Sequence, residues 1–129
     1  MTGTLHGRVI KHGQAGGRAL CSTVPISFFG GVDPDTGIVT EKGHPLEGQC
    51  CAGRVLVFPH GKGSTVGSYA LLRLQKNGVA PAAMINRECE TIVAVGAIIA
   101  GIPCVDQLDI DAIADGDAVD VDGERVTVR

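Results

Sequence analysis

The chain has 129 residues, of which 44% are hydrophobic and 19% charged, a balance that excludes a disordered segment. A net charge of -3 without a basic run argues against nucleic acid as a partner, and 3% aromatics with no Trp removes the stacking platforms that single-strand binders use. The length predicts a single domain over residues 1–129, large enough for a core and small for an enzyme that must also hold a cofactor.

The opening residues Met1 to His6 carry no apolar h-region, and no apolar stretch reaches the roughly 18 residues of a membrane span. No membrane contact and a cytoplasmic location are expected. Cys21, Cys50, Cys51, Cys89 and Cys104 are odd in number and contain no Cys-x-x-Cys pair. They suit neither a disulfide framework nor a metal site built from this chain alone, and are expected to be reduced and to pack as small apolar residues.

In chain order, Leu5 to Ile10 and Gly17 to Ser22 read as two short strands joined by a turn at Gly13 to Gly16. Val24 to Phe29 is an extended apolar piece broken by Gly30-Gly31, and Asp33-Pro34-Asp35-Thr36-Gly37 is a dense turn signal. A long loop with short islands of β character runs on to Gly53. Loops of that length in compact domains are uncommon without a role, so contact with a substrate or another subunit stands beside a plain surface excursion. Asp33, Asp35 and Glu41 are expected to solvate this loop. Cys50 and Cys51 should point to opposite faces of a strand, and both should pack.

Arg54 to Phe58 is short, apolar and β-branched, as a buried strand is, and Pro59 and Gly61 stop it. From Thr65 to Asn77 the apolar residues fall three or four apart, with Arg73 and Lys76 late and Gly78 beyond, which predicts a helix. No helix is expected earlier. Ser64 is thus placed at a helix N-terminus, where unpaired N–H groups and a partial positive charge stabilise an anion. Gly61 and Gly63 allow close approach of the backbone, and Lys62 adds a full charge. Three readings of Ser64 stand: a turn that binds a substrate anion, a serine whose alkoxide is stabilised for proton transfer, and an ordinary helix cap. A nucleotide is not expected. Lys62 is followed by Gly63 where a P-loop needs Ser or Thr, and Gly67 falls one position too late for the dinucleotide fingerprint.

Ala82 to Ile85 reads as a buried strand, and Glu90 to Ala100 as a helix ended by Gly101 and capped by Glu90. Ile102 to Val105 is a short extended piece and Asp111 to Ala114 a helical turn. Ala118 to Val121 and Val126 to Val128 alternate in period two around Gly123, which predicts a closing hairpin. Strands first, then β-α-β-α, then a hairpin fit a layered β/β/α domain with one helical cover.

Taken together, the motifs Phe29-Gly30-Gly31-Val32-Asp33-Pro34-Asp35-Thr36-Gly37, Ala52-Gly53-Arg54-Val55-Leu56, Gly61-Lys62-Gly63-Ser64-Thr65-Val66-Gly67-Ser68-Tyr69, Ala80-Pro81 and Glu90-Thr91-Ile92-Val93-Ala94 come in an order that resembles the small subunit of the aconitase X family. The resemblance implies an α/β fold, the swivelling β/β/α three-layer domain that also forms the fourth domain of aconitase. It also implies a large-subunit partner carrying a 4Fe-4S cluster, with none bound by this chain, and a hydro-lyase active only as the heterodimer. The family's catalytic serine maps onto Ser64. Gly61, Lys62, Gly63 and Thr65 would contact a small-molecule substrate; whether Lys62 activates Ser64 or holds a substrate anion stays open. Within the family the motif Gly-Lys-Gly-Ser-Thr-Val-Gly-Ser most resembles the archaeal branch acting on (R)-5-phosphomevalonate in the mevalonate route to isoprenoids, with the branch acting on cis-3-hydroxy-L-proline as the alternative.

Two other classes compete. Gly101-Ile102-Pro103-Cys104-Val105 and Asp115-Gly116-Asp117 fit a phosphohistidine swivelling carrier, but that carrier needs a histidine opening the helix before Gly101, and Glu90 to Ala100 has none. His6, His12, His44 and His60 all lie earlier, and His60 reads as an exposed turn residue. A non-catalytic structural subunit would tolerate loss of the Ser64 hydroxyl.

Overall fold

A computed structural model describes residues 3–129. Eight strands form one sheet: β1 (Gly3–His6), β2 (Arg8–Lys11), β3 (Gln14–Cys21), β4 (Val55–Phe58), β5 (Ala83–Asn86), β6 (Cys104–Asp106), β7 (Ala118–Asp122) and β8 (Arg125–Val128). Their order is β1-β8-β7-β3-β4-β5-β6-β2, so two strands consecutive in the chain stand at opposite ends of an almost closed sheet.

Strand β3 is the hinge of this arrangement. Its residues Gln14 to Arg18 pair antiparallel with β7, and Ala19 to Cys21 pair parallel with β4. The sheet therefore folds into two layers, an antiparallel half (β1, β8, β7) and a mostly parallel half (β4, β5, β6) edged by antiparallel β2. Helices α2 (Gly67–Lys76) and α3 (Thr91–Ala100) cover the parallel half and complete the β/β/α architecture.

The parallel strands are buried on both faces, which is why they read as unbroken apolar runs. Leu56, Phe58, Met84 and Cys104 face the helices with Leu71, Leu74, Val93 and Ala97. Val55, Val57, Ala83, Ile85 and Val105 face the other layer with Val119, Val121 and Val126. Period-two alternation thus supplies two cores from one set of strands.

Several expectations need correction. The run from Leu5 to Ile10 is two strands, divided at Gly7, and neither pairs with β3. Gly7 runs so close to β6 and the residues after it that a Cβ there would strike Val105 Cγ1 at 2.6 Å and Leu108 Cδ2 at 2.7 Å. The expected turn at Gly13 to Gly16 lies mostly within β3. A short helical turn, α1 (Phe28–Gly31), precedes Ser64, although Phe29 and Gly30 in it have non-helical backbone angles. The long loop has isolated bridges Val32–Val39 and Ile38–Cys50, and Cys51 is buried as expected while Cys50 is exposed. The helical turn near Ala112 begins at Ile110, capped by Asp109. Glu90 caps α3 and Gly101 ends it in the left-handed conformation.

The buried His44 ties the long loop to the residues before α1. Its Nε2–H donates to the Pro25 carbonyl at 3.1 Å, and its Nδ1 accepts from Leu46 N–H at 3.0 Å.

Candidate functional site

The site is built where β4 ends. The Ile26–Gly61 bridge zips the residues after β4 to the segment before α1: Ile26 N–H donates to His60 O at 3.3 Å and Lys62 N–H to Ile26 O at 3.0 Å. His60 is exposed, its Nδ1–H turned onto the Gly61 carbonyl at 2.7 Å. From Gly63 the chain leaves this ladder.

Helix α2 starts at Gly67, two residues later than the sequence predicts, because Ser64 to Gly67 first close a separate turn. Gly67 N–H donates to Ser64 O at 2.9 Å, and Val66 N–H to Ser64 Oγ at 3.2 Å. Ser64 is exposed, so its hydroxyl lies at the surface of the domain. Among the described residues, the amides of Gly63, Ser64 and Thr65 donate to no protein acceptor. These three successive N–H groups directly precede a ten-residue helix, whose N-terminal partial charge favours an anion close by.

The neighbouring helix makes the contrast. At the start of α3 the Glu90 carboxylate accepts from Ile92 N–H at 2.9 Å and Val93 N–H at 2.8 Å. One helix N-terminus is closed by its own acid; the other has no acidic residue in its first turn. Glu90 is thereby a cap, as its position in the sequence predicts.

The two glycines of the turn serve the chain itself. Gly61 is buried against Glu90 and Val93. Gly63 has φ +94°, a conformation L side chains rarely adopt, and a Cβ on it would come to 2.7 Å from Ser27 Oγ. Ser27, whose hydroxyl donates to Phe29 O at 3.0 Å, therefore borders the turn from the side. Thr65 is exposed beside Ser64, and its carbonyl accepts from Ser68 N–H at 3.2 Å.

Lys62 does not project freely. Its Nζ donates to Glu41 Oε2 at 2.9 Å, so the acid expected to solvate the long loop instead closes on the site. Ser27 and Glu41 are the site residues that sequence reasoning passed over; neither lies in a motif that marks it, and only the fold brings them to the turn. Next to the turn, an apolar groove of about 480 Å³ opens between α2 and the segment from Phe28 to Thr40, with Phe29, Val66 and Tyr69 exposed along it and Arg73 in its wall.

Three of the five cysteines are held in their thiol form. Burial, aided by Asp115 and Asp117, pushes the Cys21 thiol up to about 11, and burial with Cys50 nearby pushes Cys51 up to about 12. A hydrogen bond with Cys89, and then burial, raises Cys104 well above the ordinary thiol value. Among the described residues no group of three or more His, Cys, Asp or Glu could hold a metal ion. No helix among them is long and apolar enough to cross a membrane.

Comparison with known proteins gives these features a family. The model of the aconitase X swivel domain matches residues 4–129. The chain is 61% identical over 122 residues to the phosphomevalonate dehydratase small subunit of Methanocella arvoryzae, covering 92% of each. It is 55% identical over 125 residues to the protein of that name from Thermococcus onnurineus, covering 97% of this chain and 96% of the relative. Its fold superposes on a crystal structure of Thermococcus kodakaraensis aconitase X in the holo-form with a TM-score of 0.96 at 50% identity, covering 98% of each chain. With the order of strands, the turn after β4 and this similarity in agreement, the chain belongs to the aconitase X swivel-domain family.

Proposed function

We propose that residues 1–129 act as one swivelling domain, the small subunit of an iron–sulfur hydro-lyase that dehydrates (R)-5-phosphomevalonate to trans-anhydromevalonate 5-phosphate, with Ser64 accepting the carbon-bound proton. The substrate follows from the relatives' names and the reaction class from the family. The observation that carries the role of Ser64 is an exposed hydroxyl held by the Val66 amide at the head of a turn whose next free donors are the Gly63, Ser64 and Thr65 amides.

A serine hydroxyl is a weak acid, so Oγ takes the carbon-bound proton only as the alkoxide, its own proton having first passed to solvent. That alkoxide persists only where donors are fixed before the proton moves. Each preorganised donor in a dry site is worth about 3 kcal/mol. The Val66 N–H supplies one to Oγ directly, and the head of α2 adds its partial charge. The free amides and Lys62 then bind the substrate's anionic group and orient the carbon acid toward Oγ. Gly61 contributes by packing, since it is buried beneath the turn. The 4Fe-4S cluster is assigned to the large subunit, in keeping with the small-subunit role of the relatives and with cysteines that form no ligand group of three or more among the described residues. Docking of that subunit over the exposed turn would exclude water from it.

The test is the Ser64→Ala variant reconstituted with the large subunit. The expected result is a loss of several orders of magnitude in kcat, with heterodimer assembly and cluster content unchanged. Retained turnover would reduce Ser64 to the turn-closing role that its bond from Val66 N–H also permits.

A further inference from the structure

We propose that Glu41 is a positioning residue for Lys62, holding the ammonium ready for the substrate's anionic group; this rests on the anion-binding turn of the reading above. The ion pair spans 21 residues of sequence at 2.9 Å, between side chains that keep 45% and 30% of their surface exposed. It is accessible to a ligand, yet its acid is anchored from behind.

That anchoring comes from Gly31. The Gly31 carbonyl accepts from Thr40 N–H at 2.9 Å and from Glu41 N–H at 3.3 Å. A Cβ on Gly31 would lie 3.3 Å from Glu41 Oε1 and 3.5 Å from Ser27 Cβ, so the glutamate side chain lies along the glycine and beside Ser27. Ser27 in turn touches Gly63. The buried Gly31 thus backs both Glu41 and Ser27, Ser27 borders Gly63, and Lys62, whose ammonium Glu41 holds, directly precedes Gly63 and the free amides in the chain.

A lysine ammonium has three N–H donors on a long, flexible stem. Glu41 takes one and fixes the stem; two remain for phosphate or carboxylate oxygens. Without the glutamate, a substrate would have to order the lysine itself, and this cost appears in binding. Glu41 also offsets the lysine charge, so its removal would strengthen anion binding if charge balance outweighed position. The two effects have opposite signs, and the proposal commits to position.

The experiment is a double-mutant cycle in the reconstituted heterodimer, with (R)-5-phosphomevalonate as probe. Glu41→Ala is expected to raise KM about three- to tenfold, the size of one side chain that must be immobilised on binding, with kcat changed less than about twofold. In a Lys62→Ala background the same substitution should change KM less than about twofold. Glu41→Gln, whose amide oxygen can accept the same N–H, should recover at least about half of the loss. The cycle is repeated as Kd for phosphomevalonate on the Ser64→Ala complex, which separates the coupling from proton transfer: retained turnover in Ser64→Ala would remove the base and leave this coupling standing. A KM and Kd for Glu41→Ala that are unchanged or lowered, or raised equally without Lys62, would overturn the assignment of Glu41.

Discussion

The carboxylate of Glu90 occupies the space that a side chain on Gly61 would need: a Cβ there would stand 2.5 Å from Glu90 Oε1 and 2.5 Å from Val93 Cγ2. The cap of α3 is thus wedged beneath the turn that carries Ser64. Gly61→Ala must push Glu90 off the amides of Ile92 and Val93, and it is expected to lower stability by about 1–3 kcal/mol. Glu90→Ala, which removes the cap alone, should cost about 1 kcal/mol. Because both act on one contact, the double variant should lose less than the sum, measured by thermal or denaturant unfolding.

Gly63→Ala addresses the turn more directly. At φ +94° an alanine is strained, and its Cβ would come to 2.7 Å from Ser27 Oγ. Relief requires the turn to shift, moving the free amides and Ser64 together. The expected outcome is a fall in kcat/KM of about a hundredfold, with only about 1 kcal/mol lost from stability. Adding Ser27→Ala removes the collision but leaves the backbone strain, so recovery should be partial.

Gly96 sets the distance between the two helices. A Cβ there would press on the Leu71 side chain and lie 3.2 Å from Ser68 Cα, where the Ser68 hydroxyl already donates to Ile92 O at 2.7 Å. Gly96→Val should separate α2 from α3 and destabilise the domain by about 1–3 kcal/mol. Since α2 carries the Ser64 turn at its head, kcat of the reconstituted enzyme should fall as well.

Much of this was readable from the residues. The passage from Val55 to Lys76 was legible because a β-branched run, two breakers and a 3.6-residue repeat follow one another, and the Glu90 cap because an acid stood before an apolar helix that a glycine could end. What was hidden depends on distant partners. Gly7 divides an apparently continuous strand because β6, about a hundred residues later, leaves it no room. Glu41 looked like a solvated loop acid because nothing near it in sequence indicates Lys62. Cys50 was expected to pack, but it takes part in only an isolated bridge, with its Sγ–H donating to Thr36 O at 3.2 Å from an exposed position.

Alkaline stability should report the buried thiols. Cys21 and Cys51 have folded values of about 11 and about 12 against the ordinary 9.0, so between pH 9 and 12 the unfolded chain releases protons that the folded one retains. Their contribution is fully present below pH 9 and is lost as pH rises through that window. The melting temperature should fall across it, and Cys51→Ala should reduce the slope, as followed by differential scanning fluorimetry.

Closure of the sheet has a kinetic consequence. Residues 3–6 find their neighbours at 125–128, and residues 8–11 find theirs at 104–106. An early stretch of the polypeptide must therefore wait, unpaired, for almost all that follows it, and search entropy on this scale slows maturation. Until then β8 and β6 each present a bare edge, the geometry that invites strand exchange with a second molecule. Rapid production would favour such swapped species, and slow production or dilution the monomeric form ready for its partner.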